Sequence, residues 1–69
     1  MTIEEYRRRL GWSQTELARR ARLTPNTVRK AERGEGISSA TALVIAETLS
    51  QAFGQKILVE NLDGVTVNW

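Results

Sequence analysis

Apolar positions recur at helical spacing along most of the chain and change to an alternating pattern near its end. Ile3, Tyr6 and Leu10 fall on one helical face. Thr2 precedes them as a cap, Glu4 and Glu5 occupy the first turn, and Arg7, Arg8 and Arg9 occupy the last, the order that the helix dipole favours. A first helix over residues 2–10 is therefore expected, ended by Gly11, where a left-handed residue is cheapest for glycine. Ser13 and Glu16 have the spacing of a capping box, and Trp12 and Leu17 that of a hydrophobic staple. They start a second helix over 14–21 with Leu17, Ala18 and Ala21 inward. Only Arg22 and Leu23 separate it from Thr24-Pro25, a cap followed by proline at the first helical position. The third helix should run over 25–33 and stop at Gly34, with Val28 and Ala31 inward and Asn26, Arg29, Lys30 and Arg33 outward.

Two short helices joined so tightly must cross steeply, which is helix-turn-helix geometry. Residues 35–38 read as a loop. Ser38 or Ser39 then caps a fourth helix over 40–52, with Leu43, Ala46, Leu49 and Phe53 as its buried stripe. In the tail, Ile57, Val59, Val65, Val67 and Trp69 alternate as strand residues do, and Asp63-Gly64 is a hairpin-turn signal. The competing reading is a short fifth helix over 59–63 followed by an extended end. A two-stranded hairpin alone is marginal, so either version needs a surface to pack on.

Composition narrows the function. The 69 residues, 41% hydrophobic and 26% charged, make one ordinary globular domain, too small for a deep pocket. With no cysteine and no histidine, the chain has neither disulfides, nor thiolate metal sites, nor the commonest zinc ligand and general base. It also has no glycine-rich phosphate loop and no paired carboxylates in a plausible cleft. No enzyme, no metal and no cofactor are expected. The apolar run from Ala42 to Ala46 is far too short to span a bilayer, and no basic start followed by an apolar core suggests a signal peptide. The expectation is a cytoplasmic protein with no membrane partner and no room for an effector domain. The net charge of +2 is small, but residues 1–36 carry nine of the ten Lys and Arg against five of the eight acids. A basic half of this kind suits a polyanionic partner.

From Gln14 to Arg33 the chain reads QTELARRARLTPNTVRKAER. This resembles the Cro/C1-type (XRE) family of phage and bacterial regulators, through Gln14, Leu17-Ala18, Val28 and Glu32 followed by Arg33-Gly34. Leu43, Ile45-Ala46 and Leu49 fit the family's apolar fourth helix, and the likeness covers residues 3 to 53. Ala18 would sit where the two motif helices come closest, and Val28 would set the angle of the third. One departure is Arg22, at the turn position that glycine usually takes. A non-glycine residue at positive φ costs on the order of 1 kcal/mol.

The resemblance implies an all-α fold: a compact, four- to five-helix, lambda-repressor-like DNA-binding domain, with a short β segment at the C-terminus as an addition. Residues 1–53 would form the DNA-binding domain and 54–69 a C-terminal extension serving as a candidate dimerisation segment. It also implies sequence-specific binding of double-stranded DNA by a prokaryotic or phage transcription regulator, as a homodimer on a palindromic operator. The third helix would enter the major groove with Pro25, Asn26, Arg29 and Lys30 as base contacts. Gln14, Thr27, Arg33, Ser38 and Ser39 would meet phosphates, and Arg7 and Glu32 occupy positions where related domains place a structural salt bridge. Val65, Val67 and Trp69 are candidates for a dimer interface. The alternative for Trp69 is that it folds back on its own core. A rival function is that of an antitoxin or accessory factor of the same fold, whose tail binds a protein partner.

Overall fold

The computed structural model describes every residue from Met1 to Trp69. Helix α1 spans Ile3–Arg9, α2 Gln14–Ala21 and α3 Pro25–Glu32; a short strand β1, Gly36–Ser38, leads directly into α4, Ser39–Phe53. A single 3₁₀ turn follows at Val59–Asn61, and strand β2, Thr66–Asn68, ends the fold. The chain belongs to the all-α class, with one two-stranded sheet added at its end.

Each helix starts where a hydroxyl caps it. Thr2 accepts the Glu5 amide, and the Glu5 carboxylate accepts the Thr2 amide in return, which makes a full capping box. Ser13, Thr24 and Ser38 accept the amides of Glu16, Thr27 and Thr41. The box expected at Ser13 is only half made. The Glu16 carboxylate is drawn instead to Arg19 and Arg20 on the next turn, whose donors carry a full positive charge that the Ser13 amide lacks. Gly54 ends α4 in the left-handed region.

Arg22 caps α2 at φ 58°, ψ 41°, the only non-glycine residue at positive φ. The turn of the motif is therefore the ordinary one, formed in spite of the side chain. Arg22→Gly is expected to raise stability by up to about 0.5 kcal/mol, the strain relieved less the entropy that glycine adds to the unfolded chain. Thermal unfolding followed by circular dichroism measures it, and a fall in Tm would contradict the strain.

The core is one cluster around Ile3, Leu17, Val28, Ile45 and Leu49, each essentially inaccessible to solvent. Burying such side chains contributes about 1.5–3 kcal/mol apiece. Ala18 and Ala31 are also buried, which lets α2 and α3 approach closely. Helix α4 presents Ala42, Ile45, Ala46 and Leu49 inward, so Leu43, expected in the buried stripe, is 50% exposed. The segment is apolar nearly all round, so hydrophobicity alone leaves its phase open. Small Ala42 takes the close approach and turns Leu43 to the surface.

Two further expectations change. Residues 36–38 are a strand and not a plain loop, and the tail is not a hairpin. After the 3₁₀ turn, β2 pairs with β1 in parallel, with Gly36 opposite Thr66, Ile37 opposite Val67 and Ser38 opposite Asn68. Ile37 is buried, so this face of the small sheet closes one side of the core. Ile57 and Leu62 join the same core. The Ser50 hydroxyl fixes the start of the tail by accepting the Ile57 amide at 2.8 Å. Trp69 does not fold back, and is 84% exposed.

Candidate nucleic-acid interface

The third helix is held from behind by charge. Arg7 Nε and Nη2 donate to the two carboxylate oxygens of Glu32 at 2.6 and 3.0 Å, and Arg7 Nη1 donates to the Trp12 carbonyl at 3.2 Å. The two side chains are only 12% and 9% exposed. Burial disfavours a guanidinium charge, yet the Glu32 carboxylate outweighs it and pushes the Arg7 pKa up. The pair ties α1 to the end of α3 as a two-pronged clamp.

Gln14 sits at the start of α2, but its side chain is not free for a ligand. Its Nε2 donates to Glu32 Oε1 at 3.2 Å, so it braces α2 against α3. Any phosphate contact at this point falls to the unpaired backbone amides of the first turn. Sequence spacing alone offers no signal for this bond, because its partners lie 18 residues apart.

In front, Pro25, Asn26, Arg29 and Lys30 are all exposed. Asn26, Arg29 and Lys30 stand at i, i+3 and i+4, so they share one face of α3. Neither Arg29 nor Lys30 enters any ion pair of the chain. The contrast with the rest of the surface is informative. Arg8 is matched to Glu4, and Arg19 and Arg20 share Glu16. Those two arginines, Arg20 first, hold the Glu16 carboxyl below the usual carboxylate range. Arg20 also lies over the Trp12 ring, 4.5 Å from its centre. Arg33 meets Glu35 only at 3.9 Å. Five cations are left with no acid, Arg9, Arg22, Arg29, Lys30 and Lys56, and three of the five belong to α3 or the turn before it. Uncompensated positive charge thus concentrates on the motif.

The other expected phosphate contacts are less uniform. Thr27 is half-buried as a residue, and its hydroxyl lies 2.9 Å from that of Thr24. Ser38 Oγ donates to Thr41 Oγ1 at 2.9 Å and accepts the Thr41 amide at 3.1 Å. Ser39 is half-buried at the first position of α4. At 38 and 39 the backbone amides of the α4 terminus, and not the engaged Ser38 hydroxyl, are the donors left for an anion. Val65 and Val67 are half-buried and, with Val59 and Leu62, line a shallow groove of about 310 Å³ beside the exposed Trp69.

A short helix, a turn through a left-handed residue and a second helix with an open polar face define a helix-turn-helix DNA-binding domain. The helix-turn-helix family of Cro/C1 type (XRE family) matches residues 3–53, and the chain belongs to it. No curated protein and no solved structure matches the chain. Membership makes this a DNA-binding protein of the transcription-regulator type. No helix is long and apolar enough to cross a membrane.

Proposed function

We propose that the protein is a sequence-specific reader of double-stranded DNA, a prokaryotic or phage transcription regulator of the cytoplasm, and not an enzyme. Residues 25–33 lie in the major groove. Asn26 pairs in bidentate fashion with an adenine, Arg29 and Lys30 reach guanine O6 and N7, and Pro25 offers apolar contact to a thymine methyl. The backbone at Gln14, Ser38 and Ser39 contacts phosphates, with Arg33 and, after its Thr24 bond rearranges, Thr27. The observation that carries this reading is the face of α3 on which Asn26, Arg29 and Lys30 stand exposed, with neither cation neutralised within the chain.

One domain covers half a site, and a homodimer reads a palindrome with half-sites about one DNA turn apart. Residues 54–69 supply the dimer contact through Val65, Val67 and Trp69, since an indole this exposed beside an apolar groove gains by burial. The same Trp69 also suits an antitoxin or accessory factor whose tail grips a different protein. Sedimentation equilibrium of the purified protein separates the two, because only self-association yields a dimer without a partner.

The test of DNA reading is a fluorescence-anisotropy titration into random and selected duplexes at two salt concentrations. Binding that depends on sequence and weakens steeply with salt supports the proposal. Weak binding indifferent to sequence overturns it.

A further inference from the structure

The tail that carries the exposed tryptophan also touches the segment on which the phosphate contacts stand. Between α3 and α4 the chain runs through Gly34, Glu35 and β1, and Ser38, the last residue of β1, is the cap of α4. Strand β1 packs against α3, α4 and β2, so β2 is one of the three elements that hold it.

The tail follows this segment along its length. Gly34 lies so near the tail that a β-carbon there would sit 3.3 Å from the Gly64 carbonyl oxygen. One at Gly36 would come within 2.8 Å of the Asn68 amide nitrogen. Between these points the β1–β2 ladder runs in register. The lead-in to β2 is fixed in turn, since the Asp63 amide donates to the Met1 carbonyl at 3.0 Å. The base-reading side chains are held differently, by the Arg7–Glu32 clamp and by Val28 in the core.

We infer that residues 64–68 are a positioning element of the DNA interface: β2 holds β1, and through β1 it sets the backbone at Arg33, Ser38 and Ser39 against the phosphates, so that closure of the tail and affinity for DNA are one coupled equilibrium. The inference rests on the DNA-binding reading. It assigns phosphate geometry to the tail and base readout to α3, and makes a ligand of the tail able to tune affinity without altering which sequence is preferred. Because linkage is reciprocal, bound DNA must also stabilise the closed tail.

Two measurements test it, both on a duplex carrying a single half-site, so that dimerisation does not enter. The first follows amide hydrogen exchange in the wild-type protein. Saturating DNA should raise the protection of Thr66–Asn68 by about tenfold, although these residues lie outside the proposed DNA contacts, and unchanged protection there overturns the inference. The second compares Val67→Gly with Val67→Ile. Val67→Gly removes the side chain opposite Ile37 and should free the β2 amides to exchange while the helical signal stays intact.

Half-site affinity of Val67→Gly should then fall about tenfold, with the salt slope shallower by about one to two phosphate contacts. The preference for selected over random sequence should be unchanged, and Val67→Ile should behave as wild type. A merely structural role for β2 would lower the folded fraction and leave the salt slope alone. Freed β2 amides with wild-type affinity and slope would also overturn the inference. Failure of the wild-type protein to bind any half-site would instead overturn the DNA-binding reading itself.

Discussion

Asn26→Ala combined with Lys30→Ala is expected to weaken binding to a selected operator by on the order of 10²–10³-fold. A bidentate amide–adenine pair is worth about 1–3 kcal/mol of discrimination, and a cation to guanine adds a similar amount. Together they sum to about 3–4 kcal/mol, which at 1.4 kcal/mol per decade gives the stated range. Binding to random duplex should fall much less, because only the Lys30 charge counts there and its removal takes about one unit from the salt slope. Folding should hardly change. Both side chains are exposed and free of ion pairs, and such surface substitutions stay within about 0.5 kcal/mol. Anisotropy and thermal unfolding on the same variant separate the effects. Equal losses on both duplexes would show that these residues act through charge alone and do not read bases.

The second large effect lies behind α3. Glu32→Ala removes both partners of the Arg7 fork and the acceptor of Gln14. It leaves a guanidinium only 12% exposed, with the Trp12 carbonyl as its remaining contact. Breaking such a pair from one side costs about 3 kcal/mol, most of it the penalty of the stranded charge. For a domain of this size that is a drop in Tm on the order of 15 °C, and it approaches half of a typical small-domain stability. The double variant Arg7→Met, Glu32→Leu should recover most of the loss, since no buried charge remains. Denaturant unfolding of the three proteins measures the cycle. A single-variant loss below about 1 kcal/mol would reduce the clamp to an ordinary surface bridge.

The helical part of the fold was legible because its signals are local. Thr24-Pro25 and Ser38 each mark a helix start by side-chain chemistry that acts within one turn, and Gly11 and Gly54 mark ends in the same way. The helix-turn-helix followed from the three residues between α2 and α3, Arg22 to Thr24, a matter of length alone. Leu43 was misplaced because α4 is apolar nearly all round, and periodicity cannot phase a pattern without a polar side. The parallel sheet was illegible for a different reason. Strand β1 is Gly-Ile-Ser, loop-like in composition, and its partner lies 30 residues on, so only the solitary Ile37 hinted that the segment turns inward. Asp63-Gly64 does make a turn, with Gly64 at φ 74°. It redirects the chain toward α1 and β1 and not back onto itself.

The candidate interface divides along the same line. The outward set on α3 could be placed from spacing, and it stands exposed. Hydroxyls and amides could not be, because each competes for partners on neighbouring elements. Gln14 is taken by Glu32, Ser38 by Thr41, and Thr27 lies against Thr24. Which polar group remains free depends on the assembled fold.

The family's match ends at residue 53, yet Ile57 and Leu62, both beyond it, are buried in the core. The matched segment is thus smaller than the segment that packs into this core. In this protein the residues after the fourth helix cover one flank of the hydrophobic interior. A recombination event that joined residues 3–53 to a foreign sequence would inherit the DNA-facing surface together with an uncovered flank. Such a chimera would survive only where its new neighbour supplied apolar side chains in the places of Ile57 and Leu62.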